Sequence, residues 1–251
     1  MTGSLMWLSP FLSNTLSRDI FASLATLILA LSWLRIMDAL ALGGLIEQTL
    51  SRKLIHIGTG PMFVLCWNLF SDSPQARFLA VLTPLIITLQ FFAVGLELIQ
   101  DPAAVQAMTR HNDPREILRG PVYYGLVFVM CTLVFWRSSP IGILALMLMC
   151  GGDGLADIVG RRLGKHKLPF NPNKSWAGSA AMLCGGFIFG FGFLVLFNAF
   201  GNFQPSLNLP ATAAAVGAIA LAATVVEALP FRDIDNLTLT GVAVVLGLTL
   251  L

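Results

Sequence analysis

Long apolar segments alternate with short polar connections along this chain. A membrane-crossing helix needs about 20 mostly apolar residues, and eight segments come close to that requirement. They are Ile20–Met37, Leu54–Phe70, Phe78–Leu98, Pro121–Trp136, Ile141–Val159, Trp176–Phe197, Ala211–Leu229 and Leu237–Leu251. The last is short, which leaves seven crossings as an alternative. The pattern predicts an all-α, polytopic membrane helix bundle that forms a single domain over residues 1–251.

Composition supports a membrane protein. Hydrophobic residues make up 56% of the chain, charged residues only 11%, and the mean hydropathy is +0.80. Soluble domains usually carry about 25% charged residues. The net charge of +2 is too small to indicate nucleic acid as a partner. Residues 1–19 show no basic stretch before an apolar core, so we predict no cleaved signal peptide. They form either an interfacial helix around Leu5–Leu12 or a frayed end.

Basic residues predict how the bundle is oriented. The connections after the first, third, fifth and seventh segments hold 12 of the 15 Lys and Arg residues, and the other side holds Arg18, Arg77 and Arg137. Since positive residues mark the cytoplasmic side, we expect these basic loops on the cytoplasmic or stromal side and both termini on the opposite side.

The stretch from Gly151 to Ser179 carries the densest chemistry. Asp153 and Asp157 are four residues apart, so on a helix they share one face. Carboxylates near the end of an apolar run are costly unless they have a partner. They are candidate ligands of a divalent cation and candidate catalytic groups; a salt bridge to Arg161 or Arg162 is the structural alternative, and the two are compatible.

Glycines and cations surround these carboxylates in the pattern expected of a phosphate site. Gly151 and Gly152 allow close approach of a nucleotide, with helix packing as the alternative. Lys174 is a candidate phosphate contact and catalytic residue, and Ser175 is a candidate cap of the next helix, whose first N–H groups can bind an anion. The remaining candidate nucleotide contacts are Arg161, Arg162, Lys165, Lys167 and Asn173. The stretch is not a Walker A loop, because GxxxxGK[ST] is absent.

Further candidates lie at the same predicted face. His56 is a candidate catalytic residue, although a lone histidine is as easily a satisfied polar side chain. Glu227 is a candidate for metal binding, nucleotide binding or support of the site. The candidate substrate contacts are Arg52, Lys53, Glu97, Tyr123 and Tyr124. The two tyrosines equally suit the interfacial aromatic belt.

Four motifs together resemble the phytol kinase group of the CTP-dependent polyprenol kinase family, which includes dolichol kinases and CTP-dependent diacylglycerol kinases. They lie in order within residues 50–240: RKLIHIGTGPMF, REILRGPVYY, MCGGDGLADIVGRRLGKHKLPFNPNKSWAGS and VVEALPFRDIDN. The last departs from the family pattern, which has two adjacent acids before the asparagine and a proline soon after. More distantly, the chain resembles membrane cytidylyltransferases that make CDP-diacylglycerol.

The resemblance implies that the γ-phosphate of CTP is transferred, with Mg²⁺, to a prenyl alcohol such as phytol, geranylgeraniol or farnesol. It implies a nucleotide and metal core of Asp153, Asp157, Arg161, Lys174 and Ser175. The choice of CTP rests on the resemblance alone. We expect the prenyl chain to lie between helices among membrane lipids, with a carboxylate or His56 accepting the hydroxyl proton. Cytidylyl transfer to a lipid phosphate and ion-coupled transport are the alternatives. No pattern indicates an oligomeric state.

Overall fold

The structure is a computed structural model that describes residues 14–231 and 234–251. The N-terminal segment around Leu5–Leu12, with its predicted interfacial helix, lies outside the described residues. So do Arg232 and Asp233 of the last polar connection.

Helices make up most of the described chain. They are α1 (Thr15–Leu42), α2 (Gln48–Cys66), α3 (Ala76–Ala80), α4 (Leu82–Gly95), α5 (Pro102–Met108), α6 (Gly120–Val134), α7 (Pro140–Met147), α8 (Gly154–Leu163), α9 (Trp176–Ala199), α10 (Leu209–Ala228) and α11 (Asp235–Leu250). Short 3₁₀ turns cover Trp67–Leu69 and Pro114–Leu118. Each of the eight predicted segments overlaps one of these helices or a consecutive pair, so the predicted all-α fold is confirmed.

Six helical stretches within the described residues are long and apolar enough to cross a membrane. They are Thr15–Leu42, Ala76–Gly95, Pro114–Val134, Pro140–Leu163, Trp176–Ala199 and Leu209–Ala228. Helix α2 is present but begins with a polar half, and α11 is shorter, with 16 residues. The prediction that the last apolar segment, Leu237–Leu251, is short is therefore confirmed.

The stretch from α7 to α8 is the central element of the bundle. Of its most apolar 18 residues, 78% are buried, against 17% for α1. The glycines of α9 allow this burial, because a Cβ at Gly186 would lie 2.7 Å from Leu148 and one at Gly190 would lie 2.6 Å from Leu144. Small residues on α9 thus let it pack closely against the α7–α8 stretch.

A π-helical turn, Leu148–Asp153, joins α7 to α8. Such turns are rare and are often found at functional sites, because they change the direction of the side chains that follow. Here the turn contains Gly151, Gly152 and Asp153, and its Met149 carbonyl lies 2.9 Å from His56 Nε2.

The basic connection after α8 folds into a β-hairpin. Strand β1 (Lys167–Leu168) pairs antiparallel with β2 (Asn171–Ser175) across a two-residue turn that begins with Pro169. Proline suits the first central position of such a turn because its φ is already fixed there. The hairpin leads directly into α9, where Ser175 Oγ accepts a hydrogen bond of 3.1 Å from Gly178 N. The predicted cap is therefore confirmed.

A compact polar cluster lies where α7 begins. We call Asp19, Ser71, Asp72 and Arg137 the Arg137 cluster. Arg137 donates to the carbonyl oxygens of Trp67, Phe70 and Ser71 at 2.8–2.9 Å and to the Asp72 carboxylate at 2.6 Å. Asp19 accepts from the backbone N–H and the hydroxyl of Ser71. The cluster ties the end of α2 to the starts of α1 and α7.

Candidate active site

At the opposite end of the α7–α8 stretch, two carboxylates meet a lysine and a histidine from α2. We call Lys53, His56, Asp153 and Asp157 the Asp153 cluster. Lys53 Nζ lies 3.5 Å from Asp153 Oδ2 and 3.8 Å from Asp157 Oδ2. His56 Nε2 lies 3.4 Å from Asp153 Oδ2. The helical periodicity explains the meeting, since residues three or four apart on each helix project from the same face.

Asp157 also pairs with Arg161, one helical turn later, at 3.0 Å. The salt bridge that the sequence offers as a structural alternative is therefore present. Asp157 Oδ2 is nevertheless buried and, apart from its ion pairs, accepts no hydrogen bond. Arg161 and Lys53 offset part of the cost of burying this oxygen, and a divalent cation bound here would offset it in their place.

Lys174, on β2, forms a second set of ion pairs, and we call Lys174, Glu227 and Asp235 the Lys174 cluster. Lys174 donates to the Glu227 carboxylate at the end of α10 and lies 3.7 Å from Asp235 at the start of α11. Burial lowers the pKa of Lys174, but the carboxylates of Glu227 and Asp153 raise it by more, so the pKa lies above its usual value. Lys174 is therefore positively charged at neutral pH.

Both clusters line one cavity of about 1280 Å³. Among the described residues, eight Lys and Arg side chains and six Asp and Glu side chains line it. The cations are Arg52, Lys53, Arg110, Arg115, Arg119, Arg161, Lys167 and Lys174. A cleft with this excess of positive charge concentrates anions, and a triphosphate carries several negative charges.

Most predicted site residues line this cavity, including His56, Tyr124, Asn173 and Ser175. Others do not. Arg162 and Lys165 are exposed outside it, and Tyr123 is half-buried but absent from its lining. Glu97 lies outside the lining and pairs with Arg115 at 3.4 Å. Their predicted roles remain predictions.

Gly151 and Gly152 pack against α9 rather than lining the cavity. A Cβ at Gly152 would lie 2.8 Å from Met182 Sδ, and one at Gly151 would overlap the ring of Phe189. The packing alternative offered by the sequence therefore explains why glycine is needed at both positions. A nucleotide contact there remains a prediction.

Tyr124 uses its hydroxyl within the protein. It donates to the His56 carbonyl at 2.7 Å and lies 3.2 Å from Cys150 Sγ, while its ring stacks beside the His56 ring. Tyr124 thus holds α6 against α2 and fixes the backbone that carries His56.

Within residues 14–231 and 234–251, no group of three or more His, Cys, Asp or Glu side chains is arranged to hold a metal. Glu227 belongs to the Lys174 cluster, apart from the predicted ligands Asp153 and Asp157. Mg²⁺ in phosphoryl-transfer sites is commonly bound by one or two carboxylates together with substrate phosphates. The donor types, and the Asp157 oxygen that has ion pairs but no hydrogen bond, suit that kind of site.

Two residues of this region had no predicted role. Asp235 faces Lys174, and its Oδ1 is buried without a hydrogen-bond partner. Asn171 donates to the Ala228 carbonyl at 3.0 Å and anchors the hairpin to the end of α10. The sequence did contain an indication of both residues. Asn171 lies in the same motif as Lys174, and Asp235 lies in the same motif as Glu227.

Comparison with known proteins identifies the family. The chain is 47% identical over 223 residues to a protein of Oryza sativa named "Probable phytol kinase 1, chloroplastic", covering 88% of this chain and 70% of that protein. It is 39% identical to "Phytol kinase 1, chloroplastic" of Arabidopsis thaliana, covering 88% and 72%. It is 38% identical to "Farnesol kinase, chloroplastic" of Arabidopsis thaliana, covering 96% and 78%. The chain belongs to the family of phytol and farnesol kinases.

No family model matches the chain, and no solved structure matches it. The fold described above shows how the motifs of one member of this family are arranged in three dimensions. The charged cavity brings together polar residues from all four motifs of this chain.

Proposed function

We propose that this protein is a membrane-embedded kinase that transfers the γ-phosphate of CTP to the hydroxyl of a prenyl alcohol, of the phytol, geranylgeraniol or farnesol type. The relatives named phytol kinase and farnesol kinase support the reaction class. The observation that carries the proposal is the cavity itself, which combines buried carboxylates with an excess of cations at the end of an apolar bundle.

In this proposal the cations bind the triphosphate. Lys174 and Arg161 neutralise charge on the phosphoryl group that moves, and Lys53 and Lys167 contribute to the same positive field. Phosphoryl transfer has a loose transition state, so positioning and charge neutralisation supply most of the catalysis. Ser175 caps α9 and orients its first N–H groups toward the hairpin, where a phosphate oxygen can accept from them.

Mg²⁺, when bound with the nucleotide, would neutralise charge on the phosphate oxygens. Asp153 and Asp157 would hold it, and Glu227 is the third predicted ligand. In the structure both aspartates pair with Lys53, so the lysine offsets their charge and keeps them close together. Glu227 holds Lys174 in place, which is a second way in which this carboxylate supports the site.

The alcohol oxygen forms a bond to the γ-phosphorus, the bond between that phosphorus and the β–γ bridging oxygen breaks, and CDP leaves. The hydroxyl proton passes to a base beside the attacking oxygen. Asp153 and His56 are the two candidate bases. Since they lie 3.4 Å apart, one side chain can accept the proton while the other orients the accepting side chain.

The test is phosphate transfer by the purified protein in detergent with Mg²⁺. CTP, ATP, GTP and UTP are each offered with phytol, geranylgeraniol, farnesol, dolichol and diacylglycerol. A prenyl monophosphate formed with CDP release is the expected result. Pyrophosphate release with a CDP-lipid product would instead assign cytidylyl transfer. Absence of turnover with every pair, in folded protein, would contradict the kinase proposal.

A further inference from the structure

The charged cavity continues into the bundle as an apolar cleft. We use the name "apolar cleft" for the part bounded by α1, α2, α4 and α6. Its lining includes Thr59 and Phe63 of α2, Ile87 of α4, and Phe128 of α6. On α2, His56, Thr59 and Phe63 follow a spacing of three and four residues, so one helix face leads from the Asp153 cluster into the apolar part.

Aromatic rings form one continuous wall of this cleft. The His56 and Tyr124 ring centroids are 4.5 Å apart, those of Tyr124 and Phe128 are 4.8 Å apart, and those of Phe128 and Phe63 are 5.4 Å apart. The wall therefore begins at a polar group beside Asp153 and ends at two buried phenylalanines, which are 5% and 3% exposed. Such a surface suits a molecule with one polar end and a hydrocarbon body.

The cleft has a side that faces the lipid. Helix α1 packs against α2, and α4 packs against α6, whereas α1 and α4 contact each other little. Ala30 and Leu34 of α1 and Phe91 of α4 are half-buried along this gap and also line the cavity. A hydrophobic alcohol dissolved in the bilayer can reach the polar cluster through such a gap without crossing water.

We propose that the hydrocarbon chain of the acceptor alcohol lies in the apolar cleft, and that Phe63 and Phe128 close its inner end and limit the length of chain that is accepted. The hydroxyl then lies beside His56 and Asp153. Along α2, the distance from His56 to Phe63 corresponds to about 10 Å of helix. The apolar cleft therefore accommodates the first isoprene units of the chain below the polar cluster.

This inference rests on the proposed function, because it assigns a place to the acceptor of that reaction. A membrane lipid is the other possible occupant of an apolar cleft. We favour the acceptor because the cleft is continuous with the charged cavity, and its lining extends from the polar cluster to the buried rings of Phe63 and Phe128.

The first experiment measures chain-length selectivity in Phe128→Ala. We expect the ratio of kcat/KM for a five-unit polyprenol to that for farnesol, which has three isoprene units, to rise at least about 10-fold over wild type. The KM for the nucleotide should not change. Phe197→Ala is the matched control, because Phe197 is fully buried on α9 and does not line the cavity. An unchanged ratio in Phe128→Ala would overturn the inference.

A second variant covers the case in which the truncated ring destabilises the protein. Ala30→Phe places a ring in the gap between α1 and α4. It should raise the KM for geranylgeraniol at least about 10-fold with an unchanged KM for the nucleotide, since it narrows the cleft and leaves both charged clusters intact. Equal kinetics for wild type and Ala30→Phe would contradict the position of the cleft.

Photolabelling separates this inference from the proposed function, because it needs no turnover. A prenyl alcohol with a diazirine at the far end of its chain should label residues of α2 and α6 around Phe63 and Phe128, and excess geranylgeraniol should compete. That result would support the cleft even in protein that transfers no phosphate. Labelling confined to lipid-facing positions such as Leu24 and Leu89 would overturn the inference even in an active kinase.

Discussion

The two ends of the bundle both bury charge, but they do so in different ways. In the Arg137 cluster, the guanidinium donates to three backbone carbonyls and one carboxylate, and Asp19 accepts from the backbone and hydroxyl of Ser71. In the Asp153 cluster, by contrast, Lys53 and His56 meet the aspartates at 3.4–3.8 Å, and a buried Asp157 oxygen accepts no hydrogen bond.

We interpret this difference as one between a structural polar cluster and a proposed functional one. Backbone carbonyls at the end of a helix lack partners within that helix and need other donors. Arg137 supplies these donors after α2, so we assign it a structural role. Side-chain carboxylates paired with cations at longer distances satisfy each other incompletely, and they line a cavity. A site that binds a triphosphate needs that second arrangement, because its charges must be able to exchange one partner for another.

The largest effect that would sharpen this contrast is expected for Lys174→Met. Loss of one preorganised charge beside a transferring phosphoryl group should lower kcat by about 10²–10³-fold. The melting temperature in detergent should also fall, because the buried Glu227 carboxylate loses its partner cation. The readout is prenyl monophosphate formed per mole of folded protein, and wild-type kcat would contradict a role for Lys174 in transfer.

Arg137→Ala should lower the stability of the protein without lowering the kcat of the folded fraction. Four acceptors lose a charged donor, and hydrogen bonds to charged groups contribute about 1.5–3 kcal/mol each to stability. We therefore expect a clear fall in the melting temperature, while the folded fraction keeps the wild-type kcat. Thermal unfolding in detergent, followed by an activity assay on the folded fraction, checks both parts. A stable but inactive variant would mean that the two ends are not functionally distinct.

Glu227→Gln tests whether this glutamate acts through Lys174. We expect a loss of about 10–100-fold in kcat/KM, the range typical of residues that support a ligating or catalytic group. Without the carboxylate, burial lowers the pKa of Lys174, so the alkaline fall of activity should move to lower pH. A pH–rate profile that keeps its alkaline limb in place would show that Glu227 does not act through the lysine.

The smallest effect is expected for the helix caps. Ser175 caps α9 at the charged end. At the other end Asn208 caps α10, where its Oδ1 accepts a hydrogen bond of 3.2 Å from Ala211 N. Each substitution by alanine should cost about 1 kcal/mol of stability. Only Ser175→Ala should also raise the KM for the nucleotide, and equal KM values in the two variants would remove Ser175 from the nucleotide site.

The sequence predicts the helices and the composition of the site well. Apolar runs are long enough to locate every helix except the short α5, and the spacing of Asp153 and Asp157 places them on one face. What single-sequence periodicity does not contain is which helix faces meet. Lys53 contacts Asp153 across 100 residues, and Lys174 contacts Glu227 across 53.

Local irregularities are the other part that could not be predicted. The π turn at Leu148–Asp153 depends on the close packing of Gly152 and α9, which is a tertiary contact. The hairpin that carries Lys174 depends on Asn171 reaching the end of α10. The Arg137 cluster also depends on tertiary contacts, so the sequence did not predict it. The sequence showed only that Arg18, Arg77 and Arg137 lie on the less basic side.

The most direct test of the account places the same substitution at both ends. Asp153→Asn and Asp19→Asn each remove the charge of one buried carboxylate. The assay measures phosphate transfer from γ-labelled CTP to geranylgeraniol. Asp153→Asn should stay folded, and its transfer rate should fall at least about 100-fold. Substitution of residues that only support a metal ligand already lowers activity by about 10–100-fold. Asp19→Asn should lose stability and keep its transfer rate per folded protein. Near wild-type transfer by Asp153→Asn would contradict the assignment of this end as the active site.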